Sequence, residues 1–177
     1  DHDGMVFMEQ NVPTYSNTLT TESFNECLDL DSVNSKLPIQ IVSTGLRDIL
    51  LPIKSRSALQ ELEPDFRVMT ELSKEQNVIG VHAFSLEESE SKITAICRNF
   101  APLYDIDEEA ATGTSNCALA CYLFKYLEKK SQYIFEQGYN LDSPSRIVVN
   151  LTTHDDVIDA VFVGGYGYLV ETKSLSV

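Results

Sequence analysis

The sequence predicts an α+β domain in which a curved, mostly antiparallel or mixed sheet wraps around one buried central helix. Three observations lead there. Many short apolar runs are punctuated by Gly, Pro, Asn, Asp and Ser, with few helical patterns between them and no β-α-β-α alternation. The strongest helical pattern, over 115–129, carries Cys117-Ala118-Leu119-Ala120-Cys121-Tyr122-Leu123-Phe124, and a helix apolar on every side must be buried on most sides. Finally, 177 residues that are 43% apolar and 23% charged are enough for one core of normal size.

The elements follow in order. Residues 5–9 read as a strand. Residues 21–29 suit a short helix with Thr20 or Thr21 as N-cap, Glu22 in its first turn, and Phe24, Cys27 and Leu28 on one face. The polar stretch 30–38 ends in Pro38 and reads as a loop. Strands are predicted over 39–43, ending at Thr44-Gly45, and over 48–53, where Pro52 marks an edge or a strand end. Helical patterns cover 57–62 and 64–75, the second with Pro64 in its first turn and Phe66, Met69 and Leu72 suitably spaced. Strands resume at 78–84 and 93–98. An acidic loop over 103–112 leads into the central helix. Four further strands, 132–136, 146–151, 157–163 and 166–171, are separated by Gly138, Ser143-Pro144, Thr152–Asp156 and Gly164-Gly165.

Charge and cysteine usage exclude several functions. Thirteen Lys and Arg face 27 Asp and Glu, and a net charge of −14 repels phosphate backbones and anionic membranes, so neither nucleic acid nor a membrane is expected as a partner. No apolar stretch approaches the ~20 residues a membrane helix needs. Cys27, Cys97, Cys117 and Cys121 make no Cys-x-x-Cys pair and read as buried thiols of a cytoplasmic protein. Cys117 and Cys121 share a helix face, but no His or further Cys lies near them in sequence to complete a metal site. His2, His82 and His154 lack ligand spacing, and His82, inside a strand, reads as a packed core histidine. No phosphate-binding or nucleophile-elbow motif is present. Neither metal nor cofactor is expected.

Four segments could carry chemistry. Asp107-Glu108-Glu109-Ala110-Ala111-Thr112-Gly113-Thr114-Ser115 leads small residues into the buried helix, where free N–H groups and the positive dipole end hold an anion. A carboxylate four or five residues earlier then supplies proton transfer to a small bound acid; an ordinary N-cap after a solvated acidic loop explains the same residues. Ser43-Thr44-Gly45 follows an apolar strand and caps a turn or lines a pocket. Gly164-Gly165-Tyr166-Gly167 permits a hairpin or close backbone approach. Arg98, at a strand end, anchors an acid or pairs with the 105–109 carboxylates.

Together these motifs resemble one family. Pro38-Ile39-Gln40-Ile41-Val42-Ser43-Thr44-Gly45-Leu46, Arg98-Asn99-Phe100-Ala101-Pro102 and Glu108-Glu109-Ala110-Ala111-Thr112-Gly113-Thr114 are similar to segments of the PhzF-like (phenazine-biosynthesis-like) isomerases. Gln137-Gly138, then Pro144-Ser145-Arg146-Ile147, then Val163-Gly164-Gly165, follow in that family's order. The resemblance implies the diaminopimelate-epimerase-like fold, two similar domains with the active site between them, and a proton shift on a small carboxylic acid without metal or nucleotide. In the characterised phenazine member the acid is a dihydro-hydroxyanthranilate. Glu109 stands where the family usually has Asp, an acid/base or orienting group, and one extra methylene displaces that carboxylate. Gly113 and Thr114 match the Gly-Ser that hold the substrate carboxylate; Thr44, Gly45 and Arg98 are expected to line the cleft. Ala110 takes the place of a catalytic Cys in the two-cysteine racemases of this fold, which counts against that chemistry.

The resemblance further implies that residues 1–177 form a single domain, the C-terminal half of a two-domain isomerase. The absent N-terminal domain would carry the principal Glu base and a Gly-His pair. On that expectation the chain alone is a fragment with half a cleft, inactive by itself, and its uncovered interface makes it a homo-oligomer. A non-catalytic module that binds a small acid, or a dimerising domain, is the competing expectation.

Overall fold

The computed structural model describes residues 4–87, 92–166 and 172–174. Among them run β1 (Met5–Gln10), β2 (Thr14–Leu19), β3 (Ile39–Ser43), β4 (Arg47–Pro52), α1 (Arg56–Gln60), α2 (Phe66–Gln76), β5 (Gly80–Leu86), β6 (Ala95–Ala101), β7 (Ile106–Glu109), α3 (Gly113–Tyr126), β8 (Gln132–Gln137), β9 (Ser145–His154) and β10 (Val157–Tyr166). The strands form one sheet in the order β1-β10-β9-β8-β6-β5-β4-β3-β2. β4 with β5 and β6 with β8 are parallel, and the other pairs are antiparallel. β6 is shared lengthwise: Ala95–Cys97 pair with β8, and Asn99 and Ala101 with β7.

Connectivity forces the sheet to curl. β1 and β2 are its opposite edges, yet only residues 11–13 join them, a link that reaches no more than about 14 Å. The edges must therefore approach each other. The Asn11 N–H donates to the Thr44 carbonyl at 3.0 Å and ties this link to the β3–β4 turn. Inside the curl sits α3, packed on β3, β4, β9 and β10, with every residue from Ser115 to Phe124 buried. Strand alternation sends Val42, Leu50, Phe135 and Val149 inward to α3, and Ile41, Ile49, Leu51 and Val81 outward to a second core under α1 and α2. Three tyrosines tether the helix, which has no polar face to hold it in register. The Tyr122 hydroxyl donates to Pro38 O at 2.6 Å, the Tyr126 hydroxyl to Gln40 Oε1 at 2.8 Å, and the Tyr15 hydroxyl to Cys121 O at 3.0 Å. All four cysteines are buried thiols, Cys117 and Cys121 inside this core.

Several local expectations are corrected. β2 was not foreseen, because Thr14-Tyr15-Ser16-Asn17-Thr18-Leu19 is a polar edge strand. The helix expected over 21–29 is one 3₁₀ turn, Thr21–Phe24; Thr20 is its N-cap without a side-chain bond, and Asn25, with extended backbone (φ −51°, ψ 138°), ends it. Pro52 ends β4, but β4 is an interior strand. α2 starts after Asp65, whose carboxylate caps the Arg67 and Val68 N–H groups, so Pro64 precedes the helix. The acidic loop contains β7. Gly164 and Gly165 lie within β10 rather than between strands. Gly164 faces Phe7, whose ring a Cβ would meet at 2.5 Å, so close approach is the reason for glycine there. Beyond Tyr166, the strand expected over 166–171 lies outside the described residues.

Candidate active site

The β7–α3 junction opens into a cavity of about 550 Å³, lined by Asp48, Asn99, Glu109 and the first helical turn, Thr112 to Ser115. Apolar side chains of Met8, Leu46, Tyr104 and Ile106 border it. Thr112 is the N-cap, but its hydroxyl donates to Glu109 Oε2 and no side chain caps the helix. The first-turn N–H groups are therefore left for an anion. Glu109 is held from behind. Gln137 Nε2 donates to the Glu109 carbonyl at 2.7 Å and to Thr112 Oγ1 at 3.1 Å. Asn116 Nδ2 in turn donates to Gln137 Oε1 at 2.9 Å. From Asn116 through Gln137 and Thr112, each donor points toward the Glu109 carboxylate.

The structure brings Glu109, Gly113 and Thr114 together at this cavity. Thr44 and Gly45 lie next door. The Thr44 hydroxyl donates to Thr114 O at 3.1 Å, and both residues line a smaller polar hollow that shares Gln10 with the first. Arg98 does not line the cavity. Alternation along β6 turns Asn99 in and Arg98 out, and along β7 turns Glu109 in and Glu108 out. Arg98 accordingly forms a buried two-pronged pair with Glu108 (2.7 and 3.0 Å) and donates to Leu59 O and Leu62 O. Of the two readings of Arg98, pairing with the acidic segment is the one seen.

Asp48 was missed. It sits one step inward of Leu50 on β4, 2% exposed, and accepts a 2.7 Å hydrogen bond from the Ser115 hydroxyl at Oδ2. Burial, with Glu109 nearby, pushes its carboxyl up to about 6, against the pull of Ser115. The sequence places it only as the first residue of the strand expected over 48–53; the one hint of more was its even spacing from Leu50. His82 lies behind the site. Its Nδ1 is 3.0 Å from Asn99 Oδ1, and burial lowers its value to about 4, so the ring is neutral at pH 7.

Among the described residues, no Lys, Arg or His lines the cavity. Among the described residues, no three His, Cys, Asp or Glu are grouped to hold a metal ion, and no helix is long and apolar enough to cross a membrane. A larger cavity, about 780 Å³, lies at the far end of α3 between Leu86, Leu123, Tyr126 and Tyr133, and holds none of the expected site residues.

A curled mixed sheet around a buried helix is the α+β, diaminopimelate-epimerase-like class of fold. Within that class the chain belongs to the phenazine biosynthesis-like protein family (PhzC-PhzF), whose model matches residues 1–173. It is 34% identical over 134 residues to an uncharacterized isomerase of Deinococcus radiodurans, covering 73% of this chain and 42% of that protein. It is 26% identical over 162 residues to the trans-2,3-dihydro-3-hydroxyanthranilate isomerase of Pseudomonas aeruginosa, covering 90% of this chain and 55% of that one. The PhzF-family protein of Bacillus anthracis has the same fold, with a TM-score of 0.80 at 23% identity over 92% of this chain and 57% of its own. The chain thus spans about half the length of the relatives it matches.

Proposed function

We propose that this chain forms one wall of a PhzF-like isomerase cleft that shifts a proton on a small carboxylic acid without metal or nucleotide. Glu109 is its acid/base or orienting group, and Gly113 and Thr114 hold the substrate carboxylate. The observation that carries this reading is the placement of Glu109, anchored by Thr112 and Gln137, beside the uncapped first turn of α3 in one cavity. The second wall comes from a further domain of the same protein. Relatives of about twice the length support this, as does the exposed apolar border of Met8 (63% exposed) and Tyr104 (54%). Alone, the 177-residue chain is inactive, because a proton shift needs groups facing each other across the substrate.

The test uses the full-length protein with trans-2,3-dihydro-3-hydroxyanthranilate, the acid in the Pseudomonas relative's name, in deuterated water. Isomerisation with solvent deuterium entering carbon is expected. Glu109→Gln should lower kcat about 100-fold or more with binding retained. Thr114→Val should raise KM about tenfold through loss of one hydroxyl donor to an anion. Unchanged rates in both variants would remove the site from this chain. Acid binding without turnover in the full-length parent would favour the binding-module reading.

A further inference from the structure

The cavity presents two carboxyls, Asp48 and Glu109, to the place where a third is proposed to bind, and no cationic side chain lines it among the described residues. Three ionised carboxylates around one cavity repel strongly, since charges a few ångströms apart at low dielectric interact by several kcal/mol. A proton on one of them relieves that repulsion. Glu109 has a donor chain directed at it and a mouth toward solvent. Asp48 has neither: it is 98% buried, and the Ser115 hydroxyl is its hydrogen-bond donor among the described residues. The helix dipole favours anions at this end, but a bound carboxylate takes up the same first-turn N–H groups. We propose that Asp48 is the second carboxyl of the site and carries the proton in the state that accepts a carboxylate at this wall. This rests on the small-acid reading above.

Among the described residues, Asp48 faces no cation to ionise against. Glu109 faces it from β7 and Ser115 from α3. His82 on β5 is neutral and bonded to Asn99. Arg47, its neighbour on β4, is turned away and held by Asn77 O and Ser16 Oγ. Opposite Asp48 across the sheet stand Val42 on β3 and Gly80 on β5. A value near 6 for Asp48 is what this burial produces, and it makes anion binding depend on pH in the neutral range.

Benzoate, a carboxylate with no group titrating above pH 5, is the probe, measured by calorimetry on the full-length protein and its Asp48→Asn variant. If only the protonated form binds, parent affinity falls about tenfold between pH 5 and 7, while Asp48→Asn, permanently neutral, stays within about twofold. Equal slopes in both proteins overturn the proposal. Benzoate binding to neither would defeat the small-acid reading instead. The Asp48 carboxyl ¹³C titration, assigned through backbone connectivities in the parent, then decides alone. A midpoint near 6 supports a proton-bearing Asp48, and one at the ordinary 3.8 of aspartate overturns it.

Discussion

Asp48 and His82 are buried within one polar region and displaced in opposite senses, which gives this molecule two opposed pH dependences. Asp48 goes from 3.8 up to about 6 on folding, so its contribution is full below 3.8 and is lost as pH rises to 6. His82 goes from 6.5 down to about 4, so its contribution is full above 6.5 and is lost as pH falls to 4. Each displacement corresponds to about 3 kcal/mol, and over pH 4–6 the two nearly cancel. Asp48→Asn should therefore uncover the histidine, with stability rising relative to the parent by about 3 kcal/mol from pH 4 to 6. His82→Gln should do the reverse. Denaturant titrations at three pH values read both slopes; parallel curves for parent and variants would mean that neither group is displaced.

Glu109 sits where it does because β7, α3 and β8 converge, and that convergence turns on Gly138. Its φ is +89°, and a Cβ there would lie 2.3 Å from Ser143 O and 2.7 Å from Ala110 O. The carbonyl of Ala110, next to Glu109, is thus packed against the end of β8. Gly138→Ala should cost at least about 2 kcal/mol and weaken acid binding as the 109–112 backbone shifts, read from a denaturant midpoint and a benzoate titration. An unperturbed midpoint would show that the β8 turn relaxes freely. Elements with their own apolar runs or alternation were legible in the sequence: α3, β3 and β5 are buried almost throughout, and β8 alternates. β2 and β7 were not. Thr14–Leu19 is polar along an edge, and Ile106–Glu109 is an acidic strand held by β6 rather than by its own residues. The uncapped first turn of α3 was legible as a candidate anion site because small residues before a buried helix are a local pattern. Asp48 was not, since its neighbour Ser115 is 67 positions away and only the inward face of β4 brings them together.

At the scale of the whole molecule, two forces act on the same face. The apolar border of Met8, Leu46, Tyr104 and Ile106, each more than 40% exposed, surrounds the cavity mouth and favours covering. A net charge of −14 opposes covering by a second copy, because like chains repel as well as present matching apolar surface. Salt separates the two, since screening shortens electrostatic reach to about 3 Å at 1 M and leaves apolar association intact or strengthened. The 177-residue chain should accordingly be mostly monomeric at low ionic strength and self-associate as salt is raised, measured by sedimentation velocity over a wide concentration range. Met8→Glu combined with Ile106→Glu should abolish that association without changing the fold, because both side chains are exposed. A chain that stays monomeric in high salt would show that this border is too small to drive pairing. A chain that associates equally with both glutamates in place would put the contact elsewhere, away from the wall that carries Glu109.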